Sequence, residues 1–229
     1  MIWLLAGAGP ATSRRSTRYH RDLLKTLGSP RPRIAYVGAA HGDGRAFAAM
    51  IKARIFGLTA EVVDAPFTRR GVSAATLRAR LDDADLVFFS GGDVDAGMAA
   101  VEERGLGAHL RTLAAQGKPM EGISAGAIML GRHWVRFPER GEPRPFDCLG
   151  VVPTSFDTHG EEDGWSELKV LARALAGGDE QAVYGIPSHG AARWDGASLA
   201  ALGLPLARFR CGAEPRRLPD LPAGEARAG

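Results

Sequence analysis

Short apolar runs alternate with segments of helical periodicity along this chain, the pattern of strands joined by crossover helices in a parallel sheet. Ile2 to Leu5 predicts a first buried strand, Ile34 to Val37, following Pro30 and Pro32, a second, and Ala60 to Val63 a third. Between the last two, Phe47, Met50, Ile51 and Ile55 recur at helical spacing and predict one apolar helix face. Leu77 and Leu81 mark a shorter helix. Asp85 to Phe89 is the clearest strand; it runs into Ser90-Gly91-Gly92-Asp93 and then a helix containing Met98, Val101 and Leu110. Met120 to Ile123 reads as another short buried strand. Val151 to Phe156 and Gln181 to Ile186 predict two more, separated by a helix on which Trp165, Leu168, Leu171 and Leu175 share a face. Ala191 to Trp194 and Leu199 to Leu202 predict a terminal hairpin. From Glu214 onward Pro, Gly, Ala, Arg and acids follow without periodicity, which predicts a flexible tail over 214–229. The expectation is a single α/β domain over 1–213, three layers deep, with a mostly parallel central sheet.

The most informative stretch is Gly122-Ile123-Ser124-Ala125-Gly126-Ala127, a G-x-S-x-G signature between an apolar strand and a run of helix formers. A strand that turns abruptly into a helix strains the residue at its apex and leaves little room beside it. Glycine two positions to either side of the serine is then a steric requirement. Such a strand–nucleophile elbow–helix unit pushes the Ser124 hydroxyl into the open. It also sets the Ala125 amide at the start of a helix, where unpaired N–H groups favour a developing oxyanion.

Composition narrows the functional classes. The 229 residues carry a formal charge of +3, with arginines scattered among acids, so no nucleic-acid surface is expected. Cys148 and Cys211 lie far apart without metal-ligand spacing, which predicts no disulfide framework and no metal site. Met1 to Ala8 is apolar, but its basic residues, Arg14 and Arg15, follow it, the reverse of a secretory signal. No run approaches the ~20 residues of a membrane span. A cytoplasmic protein with no membrane partner is expected, and a homo-oligomer is compatible with it.

In an open parallel sheet, ligands settle beyond the carboxyl ends of the strands. Three segments fall there: Ser90-Gly91-Gly92, Ser124 itself, and Asp157-Thr158-His159-Gly160. Two glycines after a buried strand present bare amides to a substrate carbonyl. A serine needs a base to take its proton, and imidazole suits that task. His159 is the favoured base and His189, after the strand ending at Ile186, the alternative base. His41 is a candidate substrate contact, whereas His20, His109 and His133 are expected at the surface or edges.

With these pieces placed, the chain resembles the S51 serine peptidases, the peptidase E and cyanophycinase-like family, built on a class I glutamine amidotransferase-like fold. The matching elements are Phe88-Phe89-Ser90-Gly91-Gly92-Asp93, Gly122 to Ala127, Asp157-Thr158-His159 and Tyr184-Gly185-Ile186-Pro187. The resemblance implies Ser124 as nucleophile, His159 as base and an oxyanion hole from the amides of Ala125, Gly91 and Gly92. Ser188-His189 stands where such members often carry an acid, so Glu161 and Glu162, with Asp163 beside them, become the candidates for orienting the base. Gly160-Glu161-Glu162-Asp163-Gly164 also replaces arginines found in cyanophycinase-like members. The expected activity is hydrolysis of a small peptide or isopeptide through an acyl-enzyme on Ser124, without metal or cofactor. The alternative is a catalytically impaired amidotransferase-like binding or regulatory protein. Glutaminase chemistry fits poorly, because its elbow residue is a cysteine. An α/β-hydrolase would place its acid and histidine in the order Ser, Asp, His, both usually far downstream.

Overall fold

The computed structural model describes residues 1–7, 14–57, 59–138 and 141–224. Its elements, in chain order, are β1 (Ile2–Leu5), α1 (Arg14–Thr26), β2 (Arg33–Val37), α2 (Arg45–Ile55), β3 (Glu61–Asp64), α3 (Ala74–Asp82), β4 (Leu86–Phe89), α4 (Val94–Glu103), α5 (Gly107–Ala115), β5 (Met120–Ile123), α6 (Ala125–Leu130), β6 (His133–Arg136), β7 (Arg144–Asp147), β8 (Phe156–Thr158), α7 (Ser166–Ala174), β9 (Ala182–Ile186), β10 (Ala191–Trp194), β11 (Leu199–Leu202), β12 (Leu206–Arg210), β13 (Arg216–Leu221) and β14 (Ala223–Gly224). Eight strands form the central sheet in the order β14-β11-β10-β1-β5-β4-β2-β3. The run from β1 to β3 is parallel, and the β10–β11 hairpin adds antiparallel strands beside β1.

Alternation along each central strand divides the core into two layers. Trp3, Leu5, Tyr36, Leu86 and Phe88 pack with Leu23 of α1 and with Ile51 and Ile55 of α2. Ile2, Leu4, Val37, Val87 and Phe89 face the other way, into a core shared with α3 to α7. Both faces of the parallel strands are therefore covered, which is why they read as continuous apolar runs.

A second sheet, β13-β12-β9-β8, and a β6–β7 hairpin flank the helical layer. Here the structure departs from the sequence expectation. Residues 214–224, expected to begin the flexible tail, instead carry β13 and β14. β13 pairs antiparallel with β12, and the Arg217 guanidinium lies 5.1 Å from the Phe209 ring centroid. This is an edge strand with Pro219 in it, so its pairing depends on a partner that no local pattern reveals. The rest of the tail, 225–229, lies outside the described residues. Of the strand expected over Val151 to Phe156 only Phe156 is in a strand, where β8 begins and runs on to Thr158. The helix expected to hold Met98, Val101 and Leu110 divides into α4 and α5 at Gly105, whose φ is 63°. On α2 the buried face is Ala48, Ile51 and Ile55, whereas Phe47 and Met50 are each 38% exposed.

Two buried polar pairings brace this frame. His20, expected at the surface, is only 2% exposed; its Nδ1 lies 2.6 Å from Oε2 of Glu121, itself fully buried on β5. Helix α1 covers that strand, and the imidazole gives a carboxylate within the sheet its hydrogen bond. His133 is likewise drawn inward, to 3.0 Å from Glu180 Oε2. Glu180 also accepts the Ser155 amide at 2.5 Å, the Ser155 hydroxyl at 2.8 Å and the Thr154 hydroxyl at 2.8 Å. One carboxylate thus ties β6 to the segment leading into β8, the strand that delivers His159.

Replacing Glu180 by Gln puts an amide NH2 among donors. It is expected to lower unfolding free energy in urea by about 1–3 kcal/mol, the cost of leaving buried groups unpaired. Gly126→Ala would set its new methyl 2.2 Å from the Phe89 carbonyl oxygen. A loss of about 1–3 kcal/mol is expected there from overpacking, read from the same titration.

Candidate active site

Strand β5 ends in a turn whose apex is Ser124, with φ 53° and ψ −123°, a conformation that L side chains rarely adopt. The turn holds because its neighbours have no side chains to give up. A Cβ on Gly122 would lie 2.3 Å from the Gly126 carbonyl oxygen, and one on Gly126 would meet that of Phe89. Backbone bonds lock the apex: Ser124 N–H donates to the Leu5 carbonyl at 2.9 Å, and the Ser124 carbonyl accepts from Ala127 at 2.8 Å and Ile128 at 3.2 Å. The hydroxyl is left partly exposed at the carboxyl ends of the parallel strands.

The Gly91-Gly92 segment lies beside it. A Cβ on Gly91 would be 3.2 Å from that of Ser124, and Gly92 has φ 146° against the Ala40 carbonyl. Among the described residues neither glycine amide donates to a backbone carbonyl. The Ala125 amide, first in α6, is one of the N–H groups a helix leaves unpaired. A relay steadies the glycine segment from behind. His41 Nδ1 accepts from the Gly44 amide at 3.1 Å, so its Nε2–H faces the Tyr36 hydroxyl at 2.9 Å, which donates to Ser90 Oγ at 3.0 Å. Burial lowers the His41 pKa and pushes that of Tyr36 up to about 12, so the relay is neutral. His41, expected as a substrate contact, is not part of the cavity wall and serves instead as this support.

Strand β8 brings His159 to the same point. Its amide donates to the Ile186 carbonyl at 2.9 Å, its φ is 49°, and its Nε2 stands 2.9 Å from Ser124 Oγ. Both members of the pair thus occupy strained backbone positions, of the kind that concentrates at functional sites. His189 does not reach this place: it lies on the turn after β9, outside the cavity wall, with Nδ1 buried and unpartnered among the described residues.

The two acids expected beside the base behave differently. Glu161 Oε1 accepts from the Ser188 amide at 2.8 Å, so a carboxylate reaches the position where the strand end itself carries none. Burial pushes Glu161 up, but hydrogen bonds from Ser188 and from its own amide, together with the nearby His159, outweigh it and leave the group below the ordinary carboxylate range. Glu162 is exposed and makes no hydrogen bond or ion pair among the described residues. No carboxylate among the described residues hydrogen-bonds to the His159 ring; Glu161 and Glu167 act on it through space.

Ser124 and His159 open on a cavity of about 510 Å3. Its wall includes Gly92, Ala125, Trp134, Arg136, Phe137, Asp157 and Glu167. Of these, Trp134, Arg136, Phe137 and Glu167 belong to none of the sequence motifs, and Asp157 enters only with the segment that holds His159. Asp157 was visible, two positions before His159 on an alternating strand, but its exposure to the cavity was not. Glu167 carried no local signal. Among the described residues no group of three His, Cys, Asp or Glu side chains is placed to hold a metal, and no helix is long and apolar enough to cross a membrane.

Comparison with known proteins bears on the fold and the family. No curated protein matches the chain. Among solved structures it is similar to a peptidase from an acI-B1 Actinobacterium, with a TM-score of 0.74 and 18% identity over 98% of this chain and 94% of that one. It is also similar to a putative peptidase E protein from Listeria monocytogenes EGD-e, with a TM-score of 0.64 and 15% identity over 87% of this chain and 96% of that one. At such identities the likeness concerns the fold. The model of peptidase family S51 matches residues 2–202, nearly the whole chain, and the protein belongs to that family.

Proposed function

We propose that the protein is a serine peptidase that cleaves a small peptide or isopeptide through an acyl-enzyme on Ser124. The observation that carries this reading is the 2.9 Å approach of His159 Nε2 to Ser124 Oγ at a strained turn. Ser124 Oγ attacks the scissile carbonyl while His159 Nε2 takes its proton and then delivers it to the leaving amine. The amides of Ala125, Gly91 and Gly92 receive the tetrahedral oxyanion, a contribution of about 3–4 kcal/mol per donor in comparable sites. Water then attacks the ester with His159 again as base, releasing the acid and restoring the hydroxyl. In this reading Glu161 is the orienting carboxylate, held by Ser188 and stabilising the imidazolium through space. Both cysteines are free thiols, in keeping with a reducing, cytoplasmic setting.

One observation favours a second reading, an impaired binding protein: no carboxylate hydrogen-bonds to the His159 ring among the described residues. Labelling with a fluorophosphonate separates the two. Stoichiometric mass gain that disappears in Ser124→Ala and slows by roughly 10³-fold or more in His159→Ala is expected for the peptidase. An inert wild-type protein would establish the binding module. A screen of dipeptides and β-linked aspartyl peptides then reads turnover directly.

Glu161→Gln is expected to slow acylation by about 10- to 100-fold, far less than loss of His159. Because Glu161 titrates below the ordinary carboxylate range, it is ionised throughout the neutral region. The factor is therefore read at pH 8, where an imidazole base is in its neutral form, and a factor that vanishes there would remove Glu161 from this role.

A further inference from the structure

The hydrogen bonds behind the Gly91-Gly92 segment run in one direction, and each step fixes the next. The Gly44 amide can only donate, and it does so to His41 Nδ1 at 3.1 Å. In the neutral ring the proton then sits on Nε2, which donates to the Tyr36 hydroxyl at 2.9 Å. That hydroxyl gives its own proton to Ser90 Oγ at 3.0 Å. Ser90 is left with its proton directed at the Gly91 carbonyl, 3.5 Å away, the long end of the range for such a bond. Burial lowers the His41 pKa and pushes that of Tyr36 up to about 12, so the chain keeps this order of protons near neutrality.

The last acceptor is the informative one. Gly91 is buried, and no backbone amide among the described residues donates to its carbonyl, so the Ser90 hydroxyl is the partner of that oxygen. The Gly91–Gly92 peptide is trans, which sets its C=O and N–H in opposite directions. With the carbonyl drawn back toward Ser90, itself 1% exposed, the Gly92 N–H faces forward from a residue that lines the cavity.

A second hold acts from the other flank. The Asp93 amide donates to the Ala40 carbonyl at 2.7 Å, and a Cβ on Gly92 would stand 2.2 Å from that same oxygen. The turn that carries Ala40 is braced in its own right, because Asp43 Oδ2 accepts from the Thr68 amide and the Thr68 hydroxyl, each at 2.8 Å. Both sides of the Gly92 N–H are thus tied down, while the N–H itself donates to no backbone carbonyl among the described residues.

From this we infer that Ser90, Tyr36 and His41 are positioning residues, which hold the Gly91–Gly92 peptide with the Gly92 N–H aimed at the oxyanion before a substrate arrives. The inference rests on the peptidase reading only in naming that oxyanion. Neither Tyr36 nor Ser90 lines the cavity, so their effect on the reaction passes through the peptide unit. An oxyanion donor is effective because its direction is set in advance, so loosening it raises the barrier and leaves ground-state binding alone.

Fluorophosphonate labelling of Ser124, resolved into a maximal rate and a half-saturating concentration, tests this with Tyr36→Phe, Ser90→Ala and the double variant. Each substitution removes one oxygen and adds no bulk. Each single variant should lower the maximal rate by about 10- to 100-fold, short of the roughly 10²- to 10³-fold cost of losing an oxyanion donor outright. The half-saturating concentration and the pH midpoint of labelling, which His159 sets, should not change. The double variant should be no slower than Ser90→Ala, because Tyr36 reaches the peptide only through Ser90. In amide NMR spectra the Gly92 resonance should move in Tyr36→Phe while that of Ala125 stays in place. Either single variant, with its Gly92 resonance, suffices where the other does not fold. Labelling of the variants at the wild-type rate, losses that multiply in the double variant, or a shifted pH midpoint overturns the inference and leaves the peptidase. An inert wild-type protein whose Gly92 resonance still moves in Tyr36→Phe removes the peptidase and leaves the hold on the peptide unit. An inert protein whose Gly92 resonance does not move removes both.

Discussion

The structure depends on one backbone constraint, the positive φ of Ser124 between two glycines whose missing side chains let β5, α6 and the end of β4 approach within van der Waals contact. A left-handed non-glycine residue persists only where its surroundings over-determine it. Here three backbone hydrogen bonds and the close approaches at Gly122 and Gly126 do so. Presenting the hydroxyl and aligning the Ala125 amide are consequences of that one turn.

The partner of the turn is held by different means. His159 arrives on a three-residue strand at the edge of a separate small sheet, so its position relative to Ser124 relies on polar groups that join the two sheets' surroundings. Glu180 gathers four donors from β6 and from the segment before β8, and each donor would be costly to bury unpaired. The His41–Tyr36–Ser90 relay does the equivalent for the glycine segment. The approach of His159 to Ser124 is thus supported by neutral or fully satisfied networks at a distance.

The apolar runs and their spacing determined the central sheet, because strands covered on both faces must be continuously hydrophobic. The G-x-S-x-G spacing determined the turn at Ser124, because only glycine fits where backbone meets backbone. His159 was legible from its place after a strand and from the family pattern. Other features were beyond local reading. β13 looks like a polar tail until β12 pairs with it, and His20 looks like a surface residue until Glu121 lies beneath it, 101 positions away. Glu161 outranks Glu162 only because Ser188, distant in sequence, donates to it. Asp157 and Glu167 meet His159 in one cavity only once α7 has packed on β8. Sequence period reports which faces are buried, since burial is paid for residue by residue; which polar groups find one another across those faces is decided by tertiary packing, because hydrogen bonds and charge act through space and not along the chain.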